Sequence, residues 1–314
     1  MTVLDTTAGL GGRSLGTRPG LLRRLWLSHE SLRGLTLMSP ALLVMAGMML
    51  APLALTIALS FWTQTGFQID HTPTLKNYAV LFQPESHLYR VLMVKSLWVS
   101  FTATVAVIVL AYPMAYYMAF RVTRHKLLWV ILITVPFWTS YLLRVFAWKV
   151  ILGFNGVINS GLIQLKVISE PLEFLLYNPT AVTITLAHAW AAYAILPIYV
   201  SLEKIDRSLL EAATDLGDGP VERFLRVTLP LSLPGTIAAT LLVYIPTVGD
   251  YLTPTLVGGT SGIMIGNSIA TLYGKANNGP LGAAISIAMM LVITLVVCAF
   301  LGLIGPRRLK RLRG

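Results

Sequence analysis

The sequence predicts an all-α membrane protein with six transmembrane helices. Hydrophobic residues make up 55% of the 314 residues and charged residues only 12%, and the mean hydropathy of +0.73 lies outside the usual range for soluble domains. A helix needs about 20 apolar residues to cross roughly 30 Å of hydrocarbon. Six almost charge-free stretches reach this length, namely residues 35–62, 96–120, 127–146, 179–202, 233–257 and 280–304.

The first stretch, residues 35–62, follows several basic residues and has to be distinguished from a cleaved signal peptide. The apolar core of a signal peptide is about 7 to 15 residues long, and no small-residue cleavage pattern follows Trp62 before the next polar loop. We therefore expect a retained first transmembrane helix. An N-terminal tail, residues 1–34, precedes it, and an external loop, residues 63–95, follows it.

The other five stretches form the predicted core, residues 96–304, and a short basic tail, residues 305–314, ends the chain. Lysine and arginine collect on the cytoplasmic side of membrane proteins. With a cytoplasmic N-terminus, the cytoplasmic segments hold 17 of the 24 Lys and Arg residues and the external segments hold 7. Both termini are therefore predicted to be cytoplasmic. This asymmetry explains the formal net charge of +11, so we expect no nucleic-acid partner.

One polar and charged segment separates the fourth and fifth apolar stretches. It lies in the predicted cytoplasmic loop, residues 203–232, and reads SLLEAATDLGDGPVERFLRVTLP from Ser208 onward. Ser208 and Glu211 have the spacing of a capping box, which begins a helix. Gly217 is suited to end that helix, because glycine readily adopts the left-handed conformation that closes one.

A second short helix is expected over residues 221–227. Asp218-Gly219-Pro220 forms a turn before it, and proline is tolerated in the first turn of a helix. Pro230 and Pro234 are expected to separate this helix from the fifth span. The segment thus predicts a rigid helix-turn-helix. A DNA-binding role is disfavoured, because acidic residues outnumber basic ones in the segment and phosphate would repel it.

The order of residues in this segment resembles the EAA loop of the membrane-spanning subunits of binding-protein-dependent ABC importers. Glu211-Ala212-Ala213 is followed after three residues by Gly217, and after nine more by Val227-Thr228-Leu229-Pro230, where the family usually has isoleucine in place of Val227. The resemblance implies a type I ABC importer permease fold with a cytoplasmic EAA coupling helix, which seats in a groove on an ATPase subunit. The residues that it implies for this contact are Glu211, Ala212, Ala213, Asp215 and Gly217.

The resemblance extends over residues 96–303 and favours the spermidine/putrescine branch of the family. The segments that carry it are Ala147-Trp148, Gly156-Val157-Ile158-Asn159, Leu196-Pro197-Ile198-Tyr199 and Leu256-Val257-Gly258-Gly259. It implies a polyamine such as spermidine or putrescine as the substrate. Relatives in this branch also carry opines, amino-acid derivatives and other small organic cations, so these alternatives stay open.

The chain contains no nucleotide-binding loop of the form Gly-x-x-x-x-Gly-Lys-Ser/Thr. Gly274-Lys275-Ala276 lacks both the hydroxyl residue and the upstream glycine. We therefore expect a non-catalytic subunit that binds no cofactor itself. The resemblance implies that ATP and Mg are bound by two partner ATPase subunits. It further implies a second, different permease chain and a periplasmic solute-binding protein, assembled at the bacterial inner membrane.

Asp250 is the single carboxylate within the six apolar stretches, and it lies beside Pro246 and Gly249, which loosen a helix. An ionisable side chain at such depth is costly unless it faces a cavity or a partner. The surrounding sequence resembles the fifth span of spermidine/putrescine permeases, and we predict a substrate pathway that includes Asp250, Tyr251 and Tyr244. A hydrogen bond that fixes neighbouring helices explains Asp250 equally well.

Two other functions stay open from the residues alone. An ion-coupled secondary transporter would use Asp250 for coupling, but it predicts inverted internal repeats and several intramembrane ionisable groups, neither of which the sequence shows. A membrane scaffold or sensor would use the cytoplasmic loop to recruit a signalling ATPase. Loss of transport on deletion distinguishes a permease from such a scaffold.

Overall fold

The computed structural model describes residues 30–84 and 87–304. Only the last five residues of the predicted N-terminal tail, residues 1–34, fall within this range, and the predicted basic tail, residues 305–314, lies outside the described residues. The chain divides into two compact units, residues 1–55 and 56–314. The described part of the first unit belongs to one helix, α1 (Glu30–Ser60).

The described part of the second unit is mostly helical, with one small antiparallel hairpin. Its strands and helices, in chain order, are β1 (Thr63–Thr65), β2 (Gln68–Asp70), α2 (Lys76–Val80), α3 (His87–Phe120), α4 (Lys126–Thr134), α5 (Tyr141–Leu152), α6 (Val157–Gln164), α7 (Pro179–Glu203), α8 (Arg207–Asp215), α9 (Pro220–Arg223), α10 (Leu229–Val248), α11 (Ile265–Tyr273) and α12 (Gly279–Ile304). Short 3-10 turns cover Val135–Trp138 and Glu173–Leu175, and π-helical turns cover Phe224–Thr228 and Pro254–Gly258.

Six helical stretches within the described ranges are long and apolar enough to cross a membrane, as the sequence predicts. They are Thr36–Ser60, His87–Phe120, Tyr141–Gln164, Pro179–Glu203, Pro220–Val248 and Gly279–Ile304, and the shorter apolar stretch Lys126–Trp138 precedes the third. The predicted number of spans is therefore confirmed, while the third and fifth spans differ in detail.

The prediction of one continuous third helix over residues 127–146 is wrong. α4 ends at Thr134, a 3-10 turn containing Pro136 follows, and Thr139 adopts extended backbone before α5 begins. Pro136 cannot donate the backbone hydrogen bond that continues an α-helix. The long apolar stretch is displaced to Tyr141–Gln164, where a turn between α5 and α6 interrupts it again.

The predicted fifth helix, residues 233–257, ends early. α10 stops at Val248 and is capped by Gly249. Residues 249–264 then follow a broken path, in which Thr253, Val257 and Met264 are buried. Non-helical backbone at membrane depth is tolerated only where protein buries it or where it lines a cavity. This burial explains how the chain interrupts the helix there.

The centre of the second unit is a seam between α3, α7 and α10. Many of its buried side chains are small, including those of Ala111, Ala194 and Ala239. Small side chains let helix backbones approach closely within a membrane. At Gly235 of α10 the approach is so close that a Cβ atom would collide with the carbonyl oxygen of Pro197 in α7. The seam therefore holds α7 and α10, which flank the EAA segment, in fixed positions.

α3 connects two ends of the second unit. At the EAA end, which comprises Phe120, α8 and the residues beside them, Lys126 Nζ lies 2.6 Å from Glu203 Oε1 and joins the start of α4 to the end of α7. At the hairpin end, which comprises β1, β2 and the residues beside them, the backbone N–H of Gly279 donates to Gln64 Oε1 at 3.1 Å. The 34 residues of α3 correspond to a length of about 50 Å.

Candidate functional site

The first candidate site is the capped helix α8 at the EAA end. Its N-cap is Asp206, whose Oδ1 accepts a hydrogen bond from the backbone N–H of Ser208 at 3.0 Å. The predicted capping box of Ser208 and Glu211 is therefore wrong. Asp206 has extended backbone and lies directly before the first helical residue, so Ser208 is already inside the helix and its amide is the donor.

The fold favours the ionised form of the Asp206 side chain over the protonated form. Hydrogen bonds from Ser208 lower the pKa of Asp206 below its ordinary value of 3.8. Because the pKa is depressed, the stabilising contribution is complete above the ordinary value and is lost only as the pH falls through the lowered one. The cap is therefore fully charged throughout the physiological pH range.

Replacing Asp206 with alanine is expected to fray the first turn of α8, because the Ser208 amide loses its acceptor. Hydrogen exchange of the Ser208 amide at neutral pH measures this, and the alanine variant should exchange faster than the parent protein. Asp206→Asn is the matched control, since asparagine caps helices about as well as aspartate without the charge. Equal exchange in all three proteins would contradict the assignment of Asp206 as the cap.

The other end of α8 closes at Gly217, as the sequence predicts. The N–H of Gly217 donates to Thr214 O at 2.9 Å, and the N–H of Asp218 donates to Ala213 O at 3.0 Å. Gly217 has φ +90°, a conformation that side chains with a Cβ rarely adopt, although the space around it is open. The requirement for glycine here comes from the backbone and not from crowding.

Two arginines connect α8 to the chain that follows it. Arg223 Nη1 donates to Thr214 Oγ1 at 2.9 Å, and Arg226 Nη1 lies 2.6 Å from Asp218 Oδ1. The Asp218 side chain is 17% exposed and that of Arg226 is 70% exposed, so the pair lies at the surface and contributes about 0 to 1 kcal/mol. The EAA loop is thus braced across its turn, a feature that sequence reasoning missed.

The second short helix is α9, which begins at Pro220 with Gly219 as its N-cap. The expectation that Pro230 and Pro234 separate this helix from the fifth span is wrong. The π-helical turn Phe224–Thr228 continues from α9 directly into α10, and Pro230 lies in the first turn of α10. A π turn changes the hydrogen-bond register, and it directly precedes Pro230, which has no N–H to continue an α-helical hydrogen-bond ladder. α9, the π-helical turn and α10 therefore form one continuous helical segment.

The structure brings the predicted coupling residues together on α8 and its C-terminal cap. Glu211, Ala212 and Asp215 are exposed, whereas Ala213 is buried against the protein. Leu216, the C-cap, is 87% exposed. The other exposed large apolar side chains of the segment are Leu209, Val221 and Leu225. A rigid element with apolar side chains in the open is typical of a protein-docking surface.

The second candidate site surrounds Asp250, which lies two residues beyond the end of α10. Its Oδ1 accepts the backbone N–H of Leu252 at 2.8 Å, and its Oδ2 accepts the hydroxyls of Tyr141 and Thr253, each at 2.5 Å. The interhelical hydrogen bond that the sequence leaves open for Asp250 is therefore present. It connects the break before α5 to the break after α10, and substrate sites of transporters commonly lie where interrupted helices meet.

Arg144 brings a positive charge close to this junction. Its guanidinium carbon lies 5.0 Å from the centre of the Phe137 ring and 5.7 Å from that of Tyr141, and its Nη1 donates to Ala189 O at 3.0 Å. Sequence reasoning missed both Tyr141 and Arg144 as site residues. Their spacing of three along α5 places both side chains on one helix face, which is the signal that could have paired them.

The other two residues of the predicted substrate pathway do not join Asp250. Tyr244 is buried in an apolar cluster with Val248 and Ile285. Tyr251 is exposed and lines a separate, mostly apolar cavity beside α12. The structure thus gathers Tyr141, Thr253 and Asp250 into one polar cluster. The role of Tyr244 and Tyr251 in a substrate pathway stays a prediction.

Six spanning stretches, and in the second unit a seam of small residues with a capped and braced helix-turn-helix at one end, are typical of a membrane transport subunit of the permease class. The chain belongs to the family of binding-protein-dependent transport system inner membrane components, whose model matches residues 42–310. Membership makes it an inner-membrane permease and argues against a stand-alone secondary transporter or a scaffold.

Known relatives agree with this assignment. The spermidine/putrescine transport system permease protein PotB of Haemophilus influenzae is 37% identical over 252 residues, which cover 80% of this chain and 87% of that protein. PotB of Escherichia coli is 37% identical over 227 residues, which cover 72% and 81%. The chain also shares its fold with a chain of a bacterial ABC transporter involved in the import of alginate, with a TM-score of 0.65, 16% identity and coverage of 90% and 99%.

Proposed function

We propose that this chain is the permease subunit of an ATP-driven importer for polyamines such as spermidine or putrescine. The observation that carries the substrate class is the 37% identity to spermidine/putrescine permeases over 80% of the chain. The carboxylate of Asp250, held at the junction of two interrupted helices, supports a cationic substrate, because a fixed negative charge attracts one; the positive charge of Arg144, close to the same junction, offsets part of this attraction.

ATP hydrolysis belongs to separate subunits in this proposal. The chain has no nucleotide-binding loop, so two partner ATPases bind ATP and Mg. The residues that contact them are Glu211, Ala212 and Asp215 on α8 and Gly217 directly after it, whereas the predicted contact Ala213 is buried and packs α8 onto the protein. Exposed Leu216 supports this role, since an open apolar side chain on a rigid turn suits a protein partner.

The EAA end is then cytoplasmic, and so are both termini. The distribution of Lys and Arg supports this orientation. A second, homologous permease chain completes the pathway, and a periplasmic binding protein delivers the substrate to the hairpin end. ATP-driven closure of the ATPases moves α8 as a rigid body together with α9 and α10, and alternating access follows from that movement.

The test is reconstitution of the whole transporter in proteoliposomes with its binding protein outside the vesicles and ATP inside. Uptake of labelled spermidine and putrescine is expected to require internal ATP and the binding protein, and to persist when ionophores collapse all ion gradients. Uptake by this chain alone, driven by an ion gradient without ATP, would overturn the proposal. Uptake of another solute class with no polyamine uptake would overturn the substrate assignment alone.

A further inference from the structure

The hairpin formed by β1 and β2 presents one aromatic side chain to solvent. Thr65 pairs with Gln68 across the strands, and Gly66 and Phe67 form the two-residue turn between them. Gly66 has φ +63°, which a tight hairpin turn requires. The Phe67 side chain is 92% exposed at the tip, and Ile69, on the same face of its strand, is partly exposed.

The hairpin is firmly attached at its base. Gln64 accepts the hydrogen bond from the backbone of Gly279 described above. Asn77 Nδ2 donates to the backbone oxygens of Ser60 at 3.1 Å and Trp62 at 2.6 Å. The rings of Trp62 and His71 meet edge to face at 4.3 Å. An apolar side chain on such a rigid support loses little conformational entropy when a partner covers it.

The hairpin lies at the opposite end of the bundle from α8. Arg90, in the first turn of α3, donates through Nη1 to Leu81 O at 3.2 Å, which keeps the start of α3 at the hairpin end. The last residue of α3, Phe120, lines a cavity together with Arg207 and Glu211 of the EAA loop. A partner that covers Phe67 therefore approaches from the side opposite to the ATPases.

The charges around Phe67 favour a protein partner over the bilayer surface. Residues 61–75 contain no Lys or Arg, and their one carboxylate is Asp70. Binding to anionic lipid needs basic residues beside the apolar ones. The strands are otherwise polar, with Thr63, Thr65 and Gln68 beside the tip. A single aromatic side chain surrounded by polar groups is typical of the anchor of a protein interface.

We propose that Phe67 anchors the soluble solute-binding protein when it docks, by entering an apolar pocket on that protein. This inference rests on the proposed function, because it assumes a binding protein on the hairpin side. The family description, which makes transport dependent on a binding protein, supplies the class of partner. Asp70 and the threonines form the polar rim around the anchor.

The experiment uses the complete transporter in nanodiscs and measures ATPase activity against the concentration of substrate-loaded binding protein. Phe67→Ala is expected to raise the half-saturating concentration about 10- to 30-fold, as loss of an interface anchor does, with the maximal rate unchanged. Phe67→Trp should restore the parent value. The matched control is Phe82→Ala, since Phe82 is 78% exposed and follows α2 outside the hairpin; it should change the value less than twofold.

Three results would overturn the inference. An unchanged half-saturating concentration in Phe67→Ala rules out an anchor. A reduced maximal rate alone indicates damage to subunit assembly instead of docking. An effect that disappears in nanodiscs without anionic lipid assigns Phe67 to the membrane surface. If the binding protein fails to stimulate even the parent transporter, the proposed function fails, and this outcome is distinct from the other three.

Discussion

Replacing Gly217 with valine is expected to reduce ATP-dependent uptake at least tenfold while the protein still inserts into the membrane. Gly217 has φ +90°, and a residue with a Cβ loses roughly 1 to 2 kcal/mol in such a left-handed conformation, with a β-branched residue at the upper limit. The closing turn of α8 then shifts toward another geometry. Because the proposed ATPase contacts lie on α8 and this turn, we expect the shift to separate hydrolysis from transport.

The controls separate backbone strain from side-chain size. Gly161 also has open space around it, but its φ is not positive, so Gly161→Val adds the same atoms without the strain. Gly217→Asn adds a side chain that tolerates positive φ better than valine does. We expect near-normal uptake from Gly161→Val and intermediate uptake from Gly217→Asn. Normal uptake by Gly217→Val in proteoliposomes would contradict the assignment of α8 as the coupling helix.

The EAA loop was largely predictable because its signals are local. A glycine with positive φ after a short helix, and a proline at the start of the next one, depend on backbone chemistry within a few residues. The cap itself was assigned to the wrong residue. Asp206 and Ser208 are both good cap formers, and only the extended backbone of Asp206 decides between them.

The interruptions of the third and fifth spans were not predictable from hydropathy. The sequence around Pro136 stays apolar on both sides, so a search for long apolar runs passes through the break. The residues after Gly249 are also apolar, so hydropathy does not mark the end of α10 there, although they follow a broken path that is buried in protein. The apolar character of a segment predicts that it is buried in lipid or in a protein core. It does not predict whether the backbone is helical.

The polar cluster at Asp250 lay beyond sequence reasoning for a different reason. Tyr141 and Asp250 are 109 residues apart, and their hydrogen bond exists because the two helix breaks lie at the same depth. The sequence singled out Asp250 by its cost in the membrane, but it contained no local signal for its partner. The structure identifies Tyr141 and Thr253 as the partners of Asp250, whereas the sequence predicts only that this carboxylate has a polar partner or faces a cavity.

Asp250→Asn is expected to lower the efficiency of spermidine uptake, kcat/KM, about 10- to 100-fold. Hydrogen bonds and contacts to a charged group contribute about 1.5 to 3 kcal/mol, and 1.4 kcal/mol corresponds to a factor of ten. Asparagine keeps the size of aspartate and an oxygen that accepts the N–H of Leu252, so the local turn should persist. The variant removes the charge, and it also replaces Oδ2, which accepts the Tyr141 and Thr253 hydroxyls, by an amide NH2 that can only donate.

The matched variant Tyr141→Phe tests the structural role of the same cluster. It removes one hydroxyl donor from Asp250 Oδ2 but leaves the Thr253 hydroxyl and the negative charge in place. If Asp250 acts on the substrate through its charge, both variants lower thermal stability in detergent, because both lose hydrogen bonds at Oδ2, but only Asp250→Asn strongly lowers kcat/KM of the folded transporter. If Asp250 only joins α5 to the segment after α10, both variants lose stability and neither changes kcat/KM of the folded transporter. Measuring melting temperature and uptake on the same preparations distinguishes the two roles, because charge acts on the cationic substrate and the hydrogen bond acts on the helices.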